Sequence, residues 1–563
     1  MTKRSQPVSG QTRQMTGHSA VVVAALWGCL ASFGVREAAA QAPAHQGESV
    51  STSPLLPAVG ATPLPDPARL RAGHAIGSAS RPTPQVVVVS RRFPPVVAVR
   101  IAVASGSLRD PEGQEGRALL CWQTALRGTL QRTRAEQAET LESLGANLEV
   151  AVDKYGATLH GEVLLEHLPV WLSIAADVLL RPRFDPAEFA AAKSQLVAEL
   201  VSARDDDDWL ASDAISRYLY RGTPHGRPTT GTPESLAKVT VANCQALHTA
   251  SVLQGQVRVG FAGPLDLASA EALVAASIGP LPKGKVAPLP PPAPATEGRR
   301  LLVIDKPRRT QAQVQLALQT VGVRHPDFLP LVVANAMLGG AFTSRLNNEI
   351  REQRGWSYGV GSALQGGPDQ TAWTIQLAPG NAVAVPAVDL AVQIAGEMQR
   401  YGLTAKELQF TKDFLIGSQQ LALETAEREL AQRMRGLELG LPEDEVDRFA
   451  ERIRAVTVSD IQKALKRHVK PENLVAVVVG SAADLREKLA ASKSGFAVEV
   501  IAADARPEVT TLPGLLPGQS AQPAAEPEVE NPPDPGPHPD LHPDEDAELP
   551  DEGEPVPEDP DAP

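Results

Sequence analysis

The sequence predicts an α+β protein made of two duplicated domains, each a sheet layered with helices. Three observations lead there: an internal repeat, alternating apolar runs opening each half, and helical patterns between the strands. "VTVANCQAL" begins at Val239 and "VTVSDIQKAL" at Val456, 217 residues later. The same offset carries Gly263, which closes "VRVGFAG", onto Gly480, which closes "VAVVVG". Asp185 to Glu188 and Thr404 to Glu407 lie 219 apart, and both have the form of a capping box at a helix start. Several matches at one near-constant offset are the mark of a duplication.

The elements follow in order. Lys3, Arg4 and Arg13 precede an apolar run from Ser19 to Val35 and the small residues Ala38 to Ala40, so residues 1–40 read as a signal peptide. No later stretch is long and apolar enough to span a membrane. Residues 41–85, rich in Pro, Ala, Ser and Gly, read as a flexible linker. The first domain is expected over 86–282, a Pro-rich linker over 283–298, and the second domain over 299–495. Val97, Val99, Ile101 and Val103 alternate like a strand, as do Val314, Leu316 and Leu318. "LEHLPVWLSIAADVLL" and "KDFLIGSQQLALETAERELAQRM" carry apolar residues at helical spacing, on faces expected to cover one side of a sheet. Residues 496–563 form an acidic, Pro-rich tail, expected to be disordered; its last 43 residues hold 15 acids and no Lys or Arg.

Charge and cysteines exclude several classes. The formal charge of −13 rises to +2 without the tail's acids, so the body is nearly neutral and no nucleic-acid-binding surface is expected. Three cysteines without a CxxC pair exclude a disulfide scaffold and a cysteine zinc site. Cys121 and Cys244, both in apolar helical contexts, read as buried thiols rather than a bridge.

Three motifs then become recognisable. "GSLRDPEGQEGRALLCWQTALRGT" (Gly106 to Thr129), "GTPHGRPTTGTPESL" (Gly222 to Leu236) and "GGAFTSRLNNEIREQRGWSYGVGSAL" (Gly339 to Leu364) resemble segments of the insulinase/pitrilysin-like zinc metallopeptidases, which include mitochondrial processing peptidase. The likeness spans roughly residues 85 to 490. It implies two related domains, each a mainly antiparallel sheet layered with helices, the mitochondrial processing peptidase-like metallohydrolase fold.

Active members carry His-x-x-Glu-His on a helix, where two His bind zinc and the Glu polarises water. Here those three positions are Leu119, Trp122 and Gln123. Glu199 matches the third zinc-ligand position only, and reads more simply as an exposed residue of its helix. One carboxylate is too few for a catalytic zinc. "HGEVLLEH" (His160 to His167) passes from strand into helix, so its ligands diverge. No zinc or other cofactor is therefore expected in this chain, which is expected to be inactive alone.

Arg351 and Tyr358 match positions that bind the substrate carbonyl in active relatives. A guanidinium and a phenol supply hydrogen bonds to charge developing on that oxygen. The alternative is a surface Arg paired with Glu352 and a core Tyr. The combination resembles one subunit of the heteromeric bacterial members, and implies a non-catalytic, substrate-binding subunit of an exported, periplasmic metallopeptidase. Its partner would be an insulinase-family subunit bearing the zinc motif, and its ligand a peptide, with no membrane span left after signal cleavage. In relatives the strand equivalent to part of Gly145 to Val163 binds peptide by β-addition. The competing class is a catalytically dead scaffold for binding or assembly.

Overall fold

The structure, a computed structural model, describes residues 72–79 and 81–504. The expected signal peptide and the acidic end of the tail lie outside the described residues. Two six-stranded sheets organise the described residues. The first holds β1 (Gly73–Ile76), β2 (Gln85–Ser90), β3 (Val96–Val103), β4 (Glu149–Val152), β5 (Ala157–Leu164) and β6 (Val257–Gly263), in the order β1-β2-β6-β3-β5-β4. The second holds β7 (Arg300–Asp305), β8 (Gln313–Val321), β9 (Ser357–Gly366), β10 (Gln370–Pro379), β11 (Val475–Gly480) and β12 (Ala497–Ala502), in the order β12-β7-β11-β8-β10-β9.

The duplication is explicit in this topology. β2, β6, β3, β5 and β4 correspond in order to β7, β11, β8, β10 and β9. In each half the pair β2–β6 or β7–β11 is parallel, and the three pairs beyond it are antiparallel. Both sheets are therefore mainly antiparallel, as expected. The sixth strands are not repeats: β1 runs antiparallel to β2 from before it, whereas β12 runs parallel to β7 from the far end of the half. They correct two sequence boundaries. "GHAI" lies in the stretch read as a flexible linker, and "AVEVIA" in the stretch read as a disordered tail, yet each is short, extended and paired along its full length.

Alternation along the strands sorts side chains onto two faces. Val97, Val99, Ile101 and Val103 of β3 join Val86 and Val88 of β2 in the core beneath the helices Arg117–Ala125 and Leu168–Leu180. Val87 and Val89 face the other way, against Leu430 and Met434 of the helix Ala426–Glu438 from the second half. The arrangement is reciprocal. The helix Asp207–Leu219 of the first half lays Leu210, Ala214, Ile215 and Tyr218 over Val475, Val477 and Val479 of β11. Each half thus supplies the helix that closes the other half's sheet. This two-sided burial explains why "QVVVVS" and "VAVVVG" are apolar without alternation.

Two helix readings change. "KDFLIGSQQLALETAERELAQRM" is not one helix: Ala405–Ala422 ends, and Thr425 caps Ala426–Glu438 by accepting the Arg428 amide. The break lets the second helix cross to the first sheet, so these helices do not all cover one side of one sheet. Of the two expected capping boxes, Thr404–Glu407 is reciprocal, while Asp185 caps alone and Glu188 turns to Arg127 at 3.4 Å.

Candidate functional site

The helix Arg117–Ala125 carries the positions where a zinc motif would lie. Two motif loops build its entry. Gly116 has φ +85° and Gly231 φ +74°, and a Cβ on Gly116 would stand 2.7 Å from the Thr230 carbonyl oxygen. The backbones touch, so glycine is needed at that point. Ser235 Oγ donates to the Glu115 carbonyl at 2.8 Å, and Asp110 accepts the Ala118 amide at 3.1 Å. Burial pushes the Asp110 carboxyl up to about 7, against the lowering effects of that amide and of Arg117.

Along the helix, Trp122 is 2% exposed, and its indole N–H donates to Ser105 Oγ at 3.0 Å. Ser251 donates to the same oxygen at 3.0 Å. Cys121 is bonded to Cys244 on the helix Val241–Ser251. The sequence reading as buried thiols was wrong here: the two apolar helices pack together and bring residues 123 apart to a Cα separation of 4.9 Å. Glu199 is exposed on the helix Pro186–Ala203, where Gln195 donates to its carboxylate at 2.9 Å. An indole bonded to Ser105, a leucine and an amide offer no zinc ligand set, and one exposed carboxylate does not make one. The residues present do not fit a catalytic zinc.

The second motif has another character. "GGAFTSRLNNEIREQRGWSYG" forms a π-helical turn, Asn347–Glu352, then a glycine at φ +62° (Gly355), then β9, the edge strand of the second sheet. A bulge in the β9–β10 register falls opposite Tyr358, between Leu377 and Pro379. Tyr358 is 82% exposed, which removes the alternative of a core tyrosine. Its ring centroid lies 5.1 Å from the Arg351 guanidinium, and the ring of Phe342 lies 4.6 Å from the same group. Phe342 is itself 62% exposed. Arg351 also pairs with Glu352 at 3.4 Å, as the surface alternative anticipated. Arg351 and Tyr358 are brought together at the start of the edge strand β9, held in place by cation–π contacts. Phe342 was missed in the sequence; its only signal was an aromatic residue in an otherwise small, polar loop.

Residues 85–233 match the family described as Insulinase (Peptidase family M16), and residues 238–415 match its counterpart described as Peptidase M16 inactive domain. The chain belongs to the insulinase family. A protein named an uncharacterised zinc protease from Mycobacterium bovis is 28% identical over 425 residues, 74% of this chain and 96% of that protein. One named a non-peptidase homologue from Helicobacter pylori is 24% identical over 405 residues, 70% of this chain and 91% of that protein. The peptidase M16 inactive domain from Pseudomonas fluorescens has the same fold, with TM-score 0.67, 24% identity, and coverage of 73% of this chain and 98% of that one. The first half of the periplasmic protease PqqL from Escherichia coli gives TM-score 0.62 at 18% identity, covering 74% and 93%. Within the insulinase family this chain is a member without the catalytic zinc motif. Among the described residues, no helix is long and apolar enough to cross a membrane.

Proposed function

We propose that this chain is the non-catalytic, substrate-binding subunit of a heteromeric, exported zinc metallopeptidase. Arg351 and Tyr358 would act at the zinc site of a partner chain of the same family, where the zinc itself is held. The observation that carries the reading is an exposed Tyr358 against an anchored Arg351 guanidinium, in a chain whose own motif positions hold no metal ligand. Both groups donate hydrogen bonds, so their role would be to grip the scissile carbonyl of a peptide and stabilise its developing oxyanion. Among the described residues β4 has one strand neighbour, which supports an extended peptide pairing at its other edge by main-chain hydrogen bonds. A buried disulfide supports export, because such bonds persist in oxidising compartments.

The test mixes the purified chain with an insulinase-family chain that carries His-x-x-Glu-His. Peptide hydrolysis is expected only in the mixture. Arg351→Ala or Tyr358→Phe in this chain should lower the mixture's kcat by ~10²-fold while complex formation persists, the loss typical of one oxyanion donor. Full activity with both variants would end the proposal. A stable complex that never hydrolyses peptide would instead favour the scaffold reading.

A further inference from the structure

A second cluster lies outside the three motifs and does not depend on the function proposed above. His325, Asp327 and His468 present ligand atoms within 4.8 Å of one another, and they form the one such group of His, Cys, Asp and Glu among the described residues. His325 and Asp327 lie on the turn that enters the helix Phe328–Asn335. His468 is the final residue of the helix Val458–His468. Nε2 of His468 is 2.8 Å from Oδ2 of Asp327, and the two imidazoles meet edge to face with centroids 4.9 Å apart. All three side chains are half-buried.

We propose that His325, Asp327 and His468 bind a borderline divalent transition-metal ion, with Zn²⁺ as the reference case. Two imidazoles and a carboxylate give three protein ligands, leaving the remaining positions to water. Ligands at about 2.0–2.2 Å from one ion stand roughly 3–3.5 Å apart, so the observed cluster needs only small side-chain rotations. The helix Val458–His468 ends at the site and the helix Phe328–Asn335 starts there, so the two helix dipoles oppose each other and the three side chains themselves must hold the ion.

Three present contacts must yield. Arg467 donates to Asp327 Oδ2 at 2.7 Å, but it is 61% exposed and its pair is readily exchanged for water. His468 presents Nε2 to the ion by carrying its proton on Nδ1 instead. Nδ1 of His325 accepts the Asp327 amide at 3.0 Å, and the ring turns a lone pair to the ion by releasing that contact. Bound metal would tie the turn at 325–327 to the end of a helix 141 residues further on. No spacing rule reveals such a site, because its ligands come from separate elements.

The test is calorimetric titration of ZnCl₂ into the full, chelator-stripped chain without an affinity tag. One ion per chain is expected, with a rise in Tm on saturation. His325→Ala and His468→Ala, each checked for folding by circular dichroism, should weaken binding at least tenfold. Arg467→Ala should tighten it, because the competing cation is gone; a purely structural ion pair predicts lower stability and no gain in metal binding. The proposal falls if neither the native chain nor Arg467→Ala binds Zn²⁺. It falls equally if the two histidine variants bind as the native chain does.

Discussion

His225 and Asp110 sit in the two motif loops of the first half, and acid acts on them in opposite directions. Burial, followed by the nearby charge of Lys154, pushes the His225 imidazole down to about 4. The unfolded chain protonates it near 6.5, so its contribution to stability is lost as pH falls from about 6.5 to 4. Asp110, raised to about 7 by burial, holds a proton in the fold that the unfolded chain has already released. Its effect is that stability falls as pH rises from about 4 to 7. His225→Gln should flatten the acid-side loss and Asp110→Asn the opposing slope, both measured as Tm against pH. At Gly116, Ala would meet a left-handed backbone and the Thr230 carbonyl, a cost of at least about 1–3 kcal/mol in denaturant unfolding. These loops were legible as motifs. Their structural work was not, because the contact of Gly116 with Gly231 joins segments over a hundred residues apart.

Among the elements, the helix Ala426–Glu438 has the widest reach. Leu430 and Met434 are almost wholly buried against the first sheet, and a Cβ on Gly260 would stand 2.2 Å from Met434 Sδ. Ion pairs border the contact: Arg91 with Glu429 at 2.5 Å and Arg435 with Asp153 at 2.8 Å. Leu430→Ala should cost about 2–5 kcal/mol, and because each half closes the other's sheet, both should still melt in one transition at lower denaturant. The strands β3, β6, β8 and β11 could be read in the sequence from alternation and the repeat. The crossing of this helix could not, since Leu and Ala continue at helical spacing through Leu423 and only Thr425 marks the stop. The continuous valines of β2 and β11 were the available sign that both sheet faces are covered.

At the scale of the whole molecule, duplication, fold class and the vacated zinc motif all followed from the sequence. The outer strands β1 and β12 did not, because neither belongs to the repeat and each is defined by its partner rather than by its own pattern. The bridge between Cys121 and Cys244 was misread for a related reason: its ends lie 123 residues apart and meet only through helix packing. Closing a loop of that length stabilises by roughly 5 kcal/mol in the chain-entropy account. Cys121→Ser, or reduction of the native chain, should therefore lower Tm markedly in a scanning calorimeter. The position of this bond also bears on biogenesis. Both cysteines and every strand of the first sheet lie before residue 264, whereas the linker and the second sheet follow. If the chain is exported as proposed, the leading half can acquire its covalent staple before the trailing half has emerged. The order of oxidation would then be written into the order of the chain, with the first half cross-linked before the second sheet is complete.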